Sequence, residues 1–514
     1  MSNQLSFKVQ SAVLHGVEAL PVQVEVLISS GIPSFSIVGM PDTAIQESRE
    51  RVRAAIKSAG FRVPSDKIVV NLAPSSLRKT GSGFDLPIAL ALLAATGQIP
   101  VAHLEDALVV GELSLEGAVR SIAGLISYQQ CAREMGRTLI TGTAEHGALP
   151  ISGVRCYELE SLRQITRDEL PPMCYSAPKK RDYPFDFADV VGHEAAKRAL
   201  QVAVCGSHGI IMMGSPGAGK TLLAQCVPSI LPPLTEEEKI QTAVIHSALD
   251  GDLYEIYGGL RPFRMPHHSV TAAGLLGGGS PVRPGEVSLA HNGVLFIDEL
   301  SEMSNNVLQQ LRQPLEEGIV HITRAEGSYV FPARFMFVAA TNLCPCGYYG
   351  DEEHECTCSP GQILRYQSKI GGPVMDRIDI RVDVARVDLS HLEQVHPGKS
   401  SAQMREEIIQ ARDFAQERRD HQARMDKRNR AARPLKQGDV SKSNKLLSLF
   451  ESCALGTQAH AFLEMAATTS GLNTRSIVKM LSLSRTIADL AHSYSVEEEH
   501  LAEAYALRFQ THGM

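Results

Sequence analysis

The 514-residue sequence predicts an α/β fold: a parallel sheet layered with helices, set between an α+β domain and a helical C-terminal region. Three observations predict it. The runs Ile210 to Met213 and Val294 to Ile297 are apolar without alternation, as in strands buried on both faces. Each leads through a loop into helical spacing, the rhythm that makes neighbouring strands run parallel. The chain is also too long for a single core, which stops growing near about 250–300 residues, so two or three domains are expected.

From Leu5 to Leu162, alternating Val22, Val24 and Val26 and the run Ile68 to Asn71 read as strands, and Glu47 to Ala59 reads as a helix, an α+β domain over residues 1–168. Residues 169–186 hold Pro171, Pro172, Pro178 and Pro184 and the basic run Lys179 to Arg181, the composition of a linker. Residues 187–402 contain the helix Glu194 to Cys205, the strand Ile210 to Met213, a glycine loop, and the strands Val294 to Ile297 and Phe335 to Ala340. Residues 403–436, rich in Arg, Lys and Glu, read as an exposed connecting helix, and 437–514 as a helical end region. Ser495 and Glu498 have the offset of a capping box that opens a last helix through Ala506.

Composition narrows the function classes. With 44% hydrophobic and 21% charged residues the chain is of ordinary globular type. Its longest apolar stretch, Leu86 to Val101, includes Gln98 and Pro100 and falls short of the ~18 residues that a spanning helix needs. No secretory signal is read in the first residues, so the expected location is the cytoplasm, where the ten cysteines serve as thiols or metal ligands. A net charge of −7 gives no general attraction to nucleic acid, so any such contact must come from local basic loops.

The string Gly214, Ser215, Pro216, Gly217, Ala218, Gly219, Lys220, Thr221 fills the eight-position phosphate-loop pattern between a predicted strand and a predicted helix. Its backbone N–H groups suit phosphate oxygens, Lys220 the β and γ phosphates of ATP, and Thr221 a Mg²⁺ ion. Asp298 and Glu299 leave the strand Val294 to Ile297 as a metal anchor and a base for water. Asn342, at the end of the next strand, is a polar sensor that orients that water. A ligand-free glycine turn and a strand ending in two solvated acids are the plainer readings; their joint occurrence favours the ATP site.

With these motifs in view, the strings RPFRMPHH (Arg261 to His268), RPGEVSLAHNGVLFIDEL (Arg283 to Leu300), NLCPCGYYGD (Asn342 to Asp351), DRIDI (Asp376 to Ile380) and RTIADLA (Arg485 to Ala491) resemble the magnesium-chelatase-like AAA+ ATPases, and among them the ComM (YifB) family of DNA motors. The resemblance spans nearly the whole chain. It implies an AAA+ P-loop core with a helical lid. It makes Arg377 an arginine finger for a neighbouring subunit's ATP, and Arg475 the second sensor arginine, acting in its own or an adjacent subunit. It implies a ring, taken as a homo-hexamer, that works on single-stranded or branched DNA in branch migration or the integration of donor DNA. The alternative is a chelatase-type motor assisting metal insertion or remodelling a protein partner, against which stands the extra N-terminal domain.

That domain's strings KTGSGFDLPIAL (Lys79 to Leu90) and VVGELSLEGAVRSIAGL (Val109 to Leu125) resemble the catalytic domain of Lon-type proteases. An ungapped match puts Asp85 and Tyr128 where a serine nucleophile and a lysine base are needed, so a protease is not expected. Cys344, Cys346, Cys356 and Cys358 form two C-x-C pairs separated by nine residues, a set suited to Zn²⁺ and tighter than the usual C-x₂-C; four reduced thiols are the other reading, with His354 a substitute ligand. Two loop regions are expected to face a channel: Tyr257 to Glu286, and a hairpin over Gly318 to Arg334 turning at Glu326 and Gly327. Arg261, Arg264, Arg283 and Arg324 are the candidate DNA contacts, each weighed against simple packing. His267 and His268 have no third ligand at metal spacing and carry the same doubt.

Overall fold

The computed structural model describes residues 4–144, 150–175, 183–249, 251, 253–324, 327–351, 353–386, 398–431 and 445–509. In the N-terminal domain, Leu5–His15 and Glu18–Ser29 pair antiparallel along their whole length, from Leu5 opposite Ile28 to His15 opposite Glu18, and turn at Gly16 and Val17. Alternation decides which side packs. Val9, Val13, Val22, Val24 and Val26 are buried on one face. Lys67–Ala73 and Ser34–Val38 extend one edge of this pair, and Ala107–Val109, Thr138–Gly142 and Cys156–Leu159 the other, giving a mixed sheet of seven strands. The apolar stretch singled out above is the helix Asp85–Ala95, hydrophobic all round and buried over nearly its whole length against the sheet. No helix among the described residues is long and apolar enough to cross a membrane.

The expected linker begins later than its prolines suggest. Leu170 and Met173 are buried, Pro172 bridges Tyr157, and the Met173 N–H donates to Cys156 O at 2.9 Å, so this stretch finishes the N-terminal sheet. Residues 176–182, the basic run included, lie outside the described residues.

The central domain is built on five parallel strands in the order Phe263–Arg264, Val294–Ile297, Met336–Thr341, Ile210–Met213, Ile380–Asp383. Every strand therefore ends on the same edge, where open α/β sheets bind ligands. The predicted strands at 210–213 and 294–297 stand as expected. The hairpin is also present, Ile319–Arg324 against Gly327–Pro332, with Val320 and Phe331 buried; its tip, residues 325–326, is outside the described residues.

The charged connector is one helix, Ser401–Ala431, and it is not simply exposed. Met404, Ile408, Ala411, Ala415 and Arg418 recur at helical spacing and are buried against the helices Glu194–Gly206, Lys220–Ile230 and Thr474–Leu490. Arg418 donates to both oxygens of Asp489 at 3.0 and 3.1 Å, and Arg485 reaches the same carboxylate at 3.0 Å, so the RTIADLA string is the lid's buried ionic joint. The last helix is Glu498–Phe509; the Ser495 hydroxyl donates to the Glu497 carboxylate and, among the described residues, accepts no bond from the Glu498 N–H. A capping box is formed elsewhere, by Thr235 and Glu238.

The N-terminal and central domains share apolar contacts. Ile126 and Ile151 join Leu234, Ala243, Leu253, Ile256 and Tyr257 in one cluster, and Val17 enters the core of the central domain. The Gly124 N–H donates to Ser247 O at 2.6 Å, and His15 stacks on Tyr329 of the hairpin with ring centres 4.2 Å apart.

Candidate active site

The loop of Gly214 to Gly219 runs from the strand Ile210–Met213 into the helix Lys220–Ile230. Gly217 and Gly219 take φ of 79° and 88°, which a side chain would resist, and the resulting curl lets successive N–H groups face one anion. Lys220 is only 8% exposed. Its ammonium donates to Gly214 O at 2.7 Å, Ser215 O at 2.8 Å and Asn342 Oδ1 at 3.1 Å. Burial brings its pKa down to about 8, against the pull of Asp298 and Glu299. The Thr221 hydroxyl donates to Asp298 Oδ2 at 2.7 Å, so the two groups expected to share Mg²⁺ already meet. Glu299 follows in the left-handed region at φ 50°, unusual for a residue with a side chain, and its N–H donates to Asp298 Oδ1 at 2.9 Å. Asn342 reaches the pocket because its strand lies between those of the phosphate loop and the acidic pair.

Arg377 and Arg475 lie elsewhere. Arg377 precedes the strand Ile380–Asp383, whose first residue pairs with Ile210 and whose last pairs with Met213. It therefore sits at the edge of the sheet opposite Gly214, separated by a strand of about 13 Å. There it pairs with Glu316, and Arg475 Nη2 lies 3.6 Å from the same carboxylate. The two arginines are together, and neither accompanies Lys220.

The four cysteine sulfurs lie within 4.8 Å of one another. Cys344 Sγ is 3.3 Å from Cys346 Sγ and 3.7 Å from Cys356 Sγ, and the latter two are 3.6 Å apart. Tetrahedral zinc with bonds of about 2.3 Å has sulfur edges near 3.8 Å, whereas a disulfide needs about 2.05 Å, so the donor set fits a metal and not a cross-link. The Tyr349 N–H donates to Cys344 Sγ at 3.3 Å, and a further backbone bond from Tyr348 brings the Cys346 thiol down to about 5. This knuckle touches the phosphate loop. A Cβ on Gly347 would fall 2.6 Å from Pro216 Cγ, Asp351 is bonded to Ser215, and Arg386 donates to Pro216 O at 3.0 Å while lying 3.5 Å from Asp351. His354 faces Asp351 and is absent from the sulfur cluster.

The basic residues divide. Arg261 donates to Pro232 O, Pro233 O, Asn292 O and both oxygens of Glu238, and Arg264 makes a two-point pair with Glu286 at 2.7 and 2.8 Å. Both guanidiniums are spent on their own fold. Arg283 and Arg324 are exposed and carry no ion pair among the described residues. They converge, because Arg283 pairs with Gly278 and a Cβ on Gly278 would meet Arg324 Nη2 at 3.2 Å. The two loops expected at a channel thus form one tip.

In the N-terminal domain Asp85 is fully buried, bonded to Ser48 and to Arg51 Nε at 2.7 Å. Tyr128 is buried on the helix Leu125–Glu134. Ser82 donates to Glu112 at 2.9 Å, and Lys79 to the Pro74 carbonyl, so these groups form no serine and lysine dyad. Sequence reasoning missed Glu316, Asp351 and Arg386, whose partners are set by folding; only the position of Asp351 inside the matched string NLCPCGYYGD gave a signal.

Three family models match the chain: "Magnesium chelatase, subunit ChlI" over residues 186–392, "Subunit ChlI of Mg-chelatase" over 24–144 and "Magnesium chelatase, subunit ChlI C-terminal" over 398–508. Competence protein ComM of Haemophilus influenzae is 37% identical over 506 residues, 96% of this chain and 95% of that protein. YifB of Escherichia coli is 36% identical over 506 residues with the same coverage. The magnesium-chelatase 67 kDa subunit of Chlorobaculum parvum is 29% identical over 154 residues, 30% of this chain and 22% of that protein. A phosphate loop bonded to its acidic strand end, five parallel strands and full-length identity of this order agree: the chain belongs to the magnesium-chelatase-like AAA+ ATPases of the ComM family.

Proposed function

We propose that the chain is the subunit of a ring-shaped, ATP-driven DNA motor, taken as a homo-hexamer, that moves on single-stranded or branched DNA during recombination or the uptake of donor DNA. The observation that carries this reading is the separation of Arg377 and Arg475 from Lys220 by the depth of the sheet. An arginine so placed can serve the nucleotide of a neighbouring subunit, Arg475 in its own or an adjacent one, and head-to-tail contacts of that kind generate a ring when the rotation closes. The convergence of Arg283 and Arg324 at one tip supports a DNA-facing surface, to which every subunit adds the same two charges.

In the reaction, Thr221 and Asp298 would hold Mg²⁺, which would supply positive charge against that of the phosphates. Lys220 supplies positive charge beside the transferred phosphoryl group, Asn342 orients water, and Glu299 takes its proton. Cys344, Cys346, Cys356 and Cys358 would hold Zn²⁺, which fixes the loop behind Ser215 and Pro216 and takes no part in the chemistry. The N-terminal domain is read as a Lon-protease-like fold without protease chemistry, the burial of Asp85 against Arg51 supporting that view.

The test is ATP turnover with and without single-stranded and forked DNA. DNA is expected to raise turnover, and Glu299→Gln to keep ATP bound while losing turnover by about 10²–10⁴-fold. Turnover indifferent to every DNA tried, and raised by a chelatase partner instead, would move the assignment to metal insertion.

A further inference from the structure

We infer that the central domain carries a second anion site, built for a phosphate group between Arg334 and Arg412, on the edge of the sheet opposite the ATP pocket; the inference does not rest on the motor reading. A cleft of about 200 Å³ opens there, where the chain enters the strands Val294–Ile297 and Met336–Thr341. Gly293, Arg334 and Phe335 line it from the sheet, and Ser207, Leu231 and Arg412 from the helices. The strand Met336–Thr341, about 20 Å long, separates it from Asn342 and the phosphate loop. Arg377 stands two strands away, before Ile380–Asp383.

Two cations in this cleft have donors to spare. Arg412 Nε donates to Cys205 O at 3.0 Å, and Nη2 to Val204 O at 2.7 Å and to the Ser207 hydroxyl at 3.3 Å, which fixes the guanidinium plane. Nη1 has no hydrogen-bond partner among the described residues, so two N–H groups are left for a ligand. The Ser207 hydroxyl, an acceptor in that bond, keeps its own O–H to donate. Arg334 is placed through its backbone: its N–H donates to His291 Nδ1 at 3.0 Å, and its carbonyl accepts from the Asn292 N–H at 2.7 Å. Its side chain passes over Gly318, where a Cβ would fall 2.7 Å from Arg334 Cγ. It has no ion pair among the described residues.

Charge in the cleft is unbalanced. Arg261 also lines it, but its N–H groups and its charge are taken up by Glu238 and three carbonyls. That leaves Arg334 and Arg412 without a carboxylate. The consequence is felt by their neighbours: burial first, and the Arg334 charge second, push His291 down to about 4. Burial and then Arg261 hold the Arg412 guanidinium below its ordinary value. An anion set between Arg334 and Arg412 relieves this repulsion.

Size and lining select the ligand. The cleft is smaller than the ~300 Å³ at which sites for drug-sized molecules begin, so it takes a phosphate group and not a whole nucleotide. Guanidinium donors from two sides, with a hydroxyl between, suit the oxygens of a tetrahedral oxyanion. Arg412 stands on the connector helix Ser401–Ala431, which packs on the lid helix Thr474–Leu490, and Arg334 follows the hairpin strand Gly327–Pro332. A phosphate held by both ties the lid's connector to the root of the hairpin.

The experiment uses the full chain saturated with Mg·ADP, so that the phosphate loop is occupied, and titrates inorganic phosphate against chloride at matched ionic strength. Phosphate excluded from the surface stabilises any fold, so the reading is the rise in melting temperature of the unmodified chain beyond that of Arg334→Gln. That excess should reach about 2–4 °C at ten times the dissociation constant. Arg334→Lys, which keeps the charge, should retain most of it, which a merely structural arginine would not require. Equal rises in the unmodified chain and Arg334→Gln would overturn the inference, as would an Arg334→Lys chain that behaves like Arg334→Gln. A short single-stranded oligonucleotide that abolishes the excess would sustain the site with the DNA backbone as the source of its phosphate group; an excess that survives the oligonucleotide assigns a free phosphate.

Discussion

Raising the pH from 7 to 9 should weaken ATP binding about tenfold through Lys220 alone. Its ammonium is buried among two carbonyls and an amide oxygen, and burial lowers its pKa from 10.5 to about 8. Phosphates placed against it favour the charged form, so ATP selects the protonated site and holds that proton to higher pH. The charged fraction of the free site falls from about 0.9 at pH 7 to about 0.1 at pH 9, which is about 1.4 kcal/mol of affinity. Binding is therefore full below pH 8 and declines above it. Linkage also requires uptake of about half a proton per ATP at pH 8. The fold responds in the opposite sense: the unfolded chain binds the extra proton between pH 8 and 10.5, so Lys220 makes the folded protein more stable as pH rises through that window. Calorimetry on Glu299→Gln, in two buffers of different ionisation enthalpy, separates binding from turnover and counts the proton. Affinity that is flat from pH 7 to 9, or the same slope in a Lys220→Gln background, would refute the argument.

Replacing Arg283 or Arg324 by Ala should weaken DNA binding for all sequences alike and reduce the slope of log affinity against log salt by about one per residue per bound subunit, read by titration at several salt concentrations. Arg261→Ala should leave that slope alone and lower the melting temperature, since it strands Glu238 and three carbonyls. Asp489→Ala should cost about 3–5 kcal/mol in denaturant unfolding, because it leaves Arg418 and Arg485 buried without their shared anion. Protein purified without chelators should carry one zinc per chain by metal analysis, and Cys356→Ser should lose the metal and weaken ATP binding through the Asp351 and Arg386 contacts with the phosphate loop.

What the sequence made legible was local. The phosphate loop, the acidic strand end and the four cysteines are contiguous strings whose spacing is itself the chemistry, and the strands at 210–213 and 294–297 are short apolar runs bounded by glycine or acid. The connector reads as exposed because Arg, Lys and Glu outnumber the buried positions Met404, Ile408, Ala411 and Ala415, although those four do repeat at helical spacing. Leu170 and Met173 were hidden among prolines that serve a sheet edge as readily as a linker. Glu316 and Arg386 had no local signal at all, since each matters through a partner at least 35 residues away in sequence, and His268 meets Glu299 only through the register of two parallel strands.

The seam joining Ile126 and Ile151 to Leu234, Ile256 and Tyr257, with Val17 entering the core of the central domain beside it, bears on how this protein can be handled at the bench. Cutting within residues 176–182 to isolate the ATPase would wet that greasy patch and remove the ring stacked on Tyr329. An ATPase core truncated in this way is expected to precipitate or clump during expression, and soluble fragments will need polar replacements at Leu253 and Ile256.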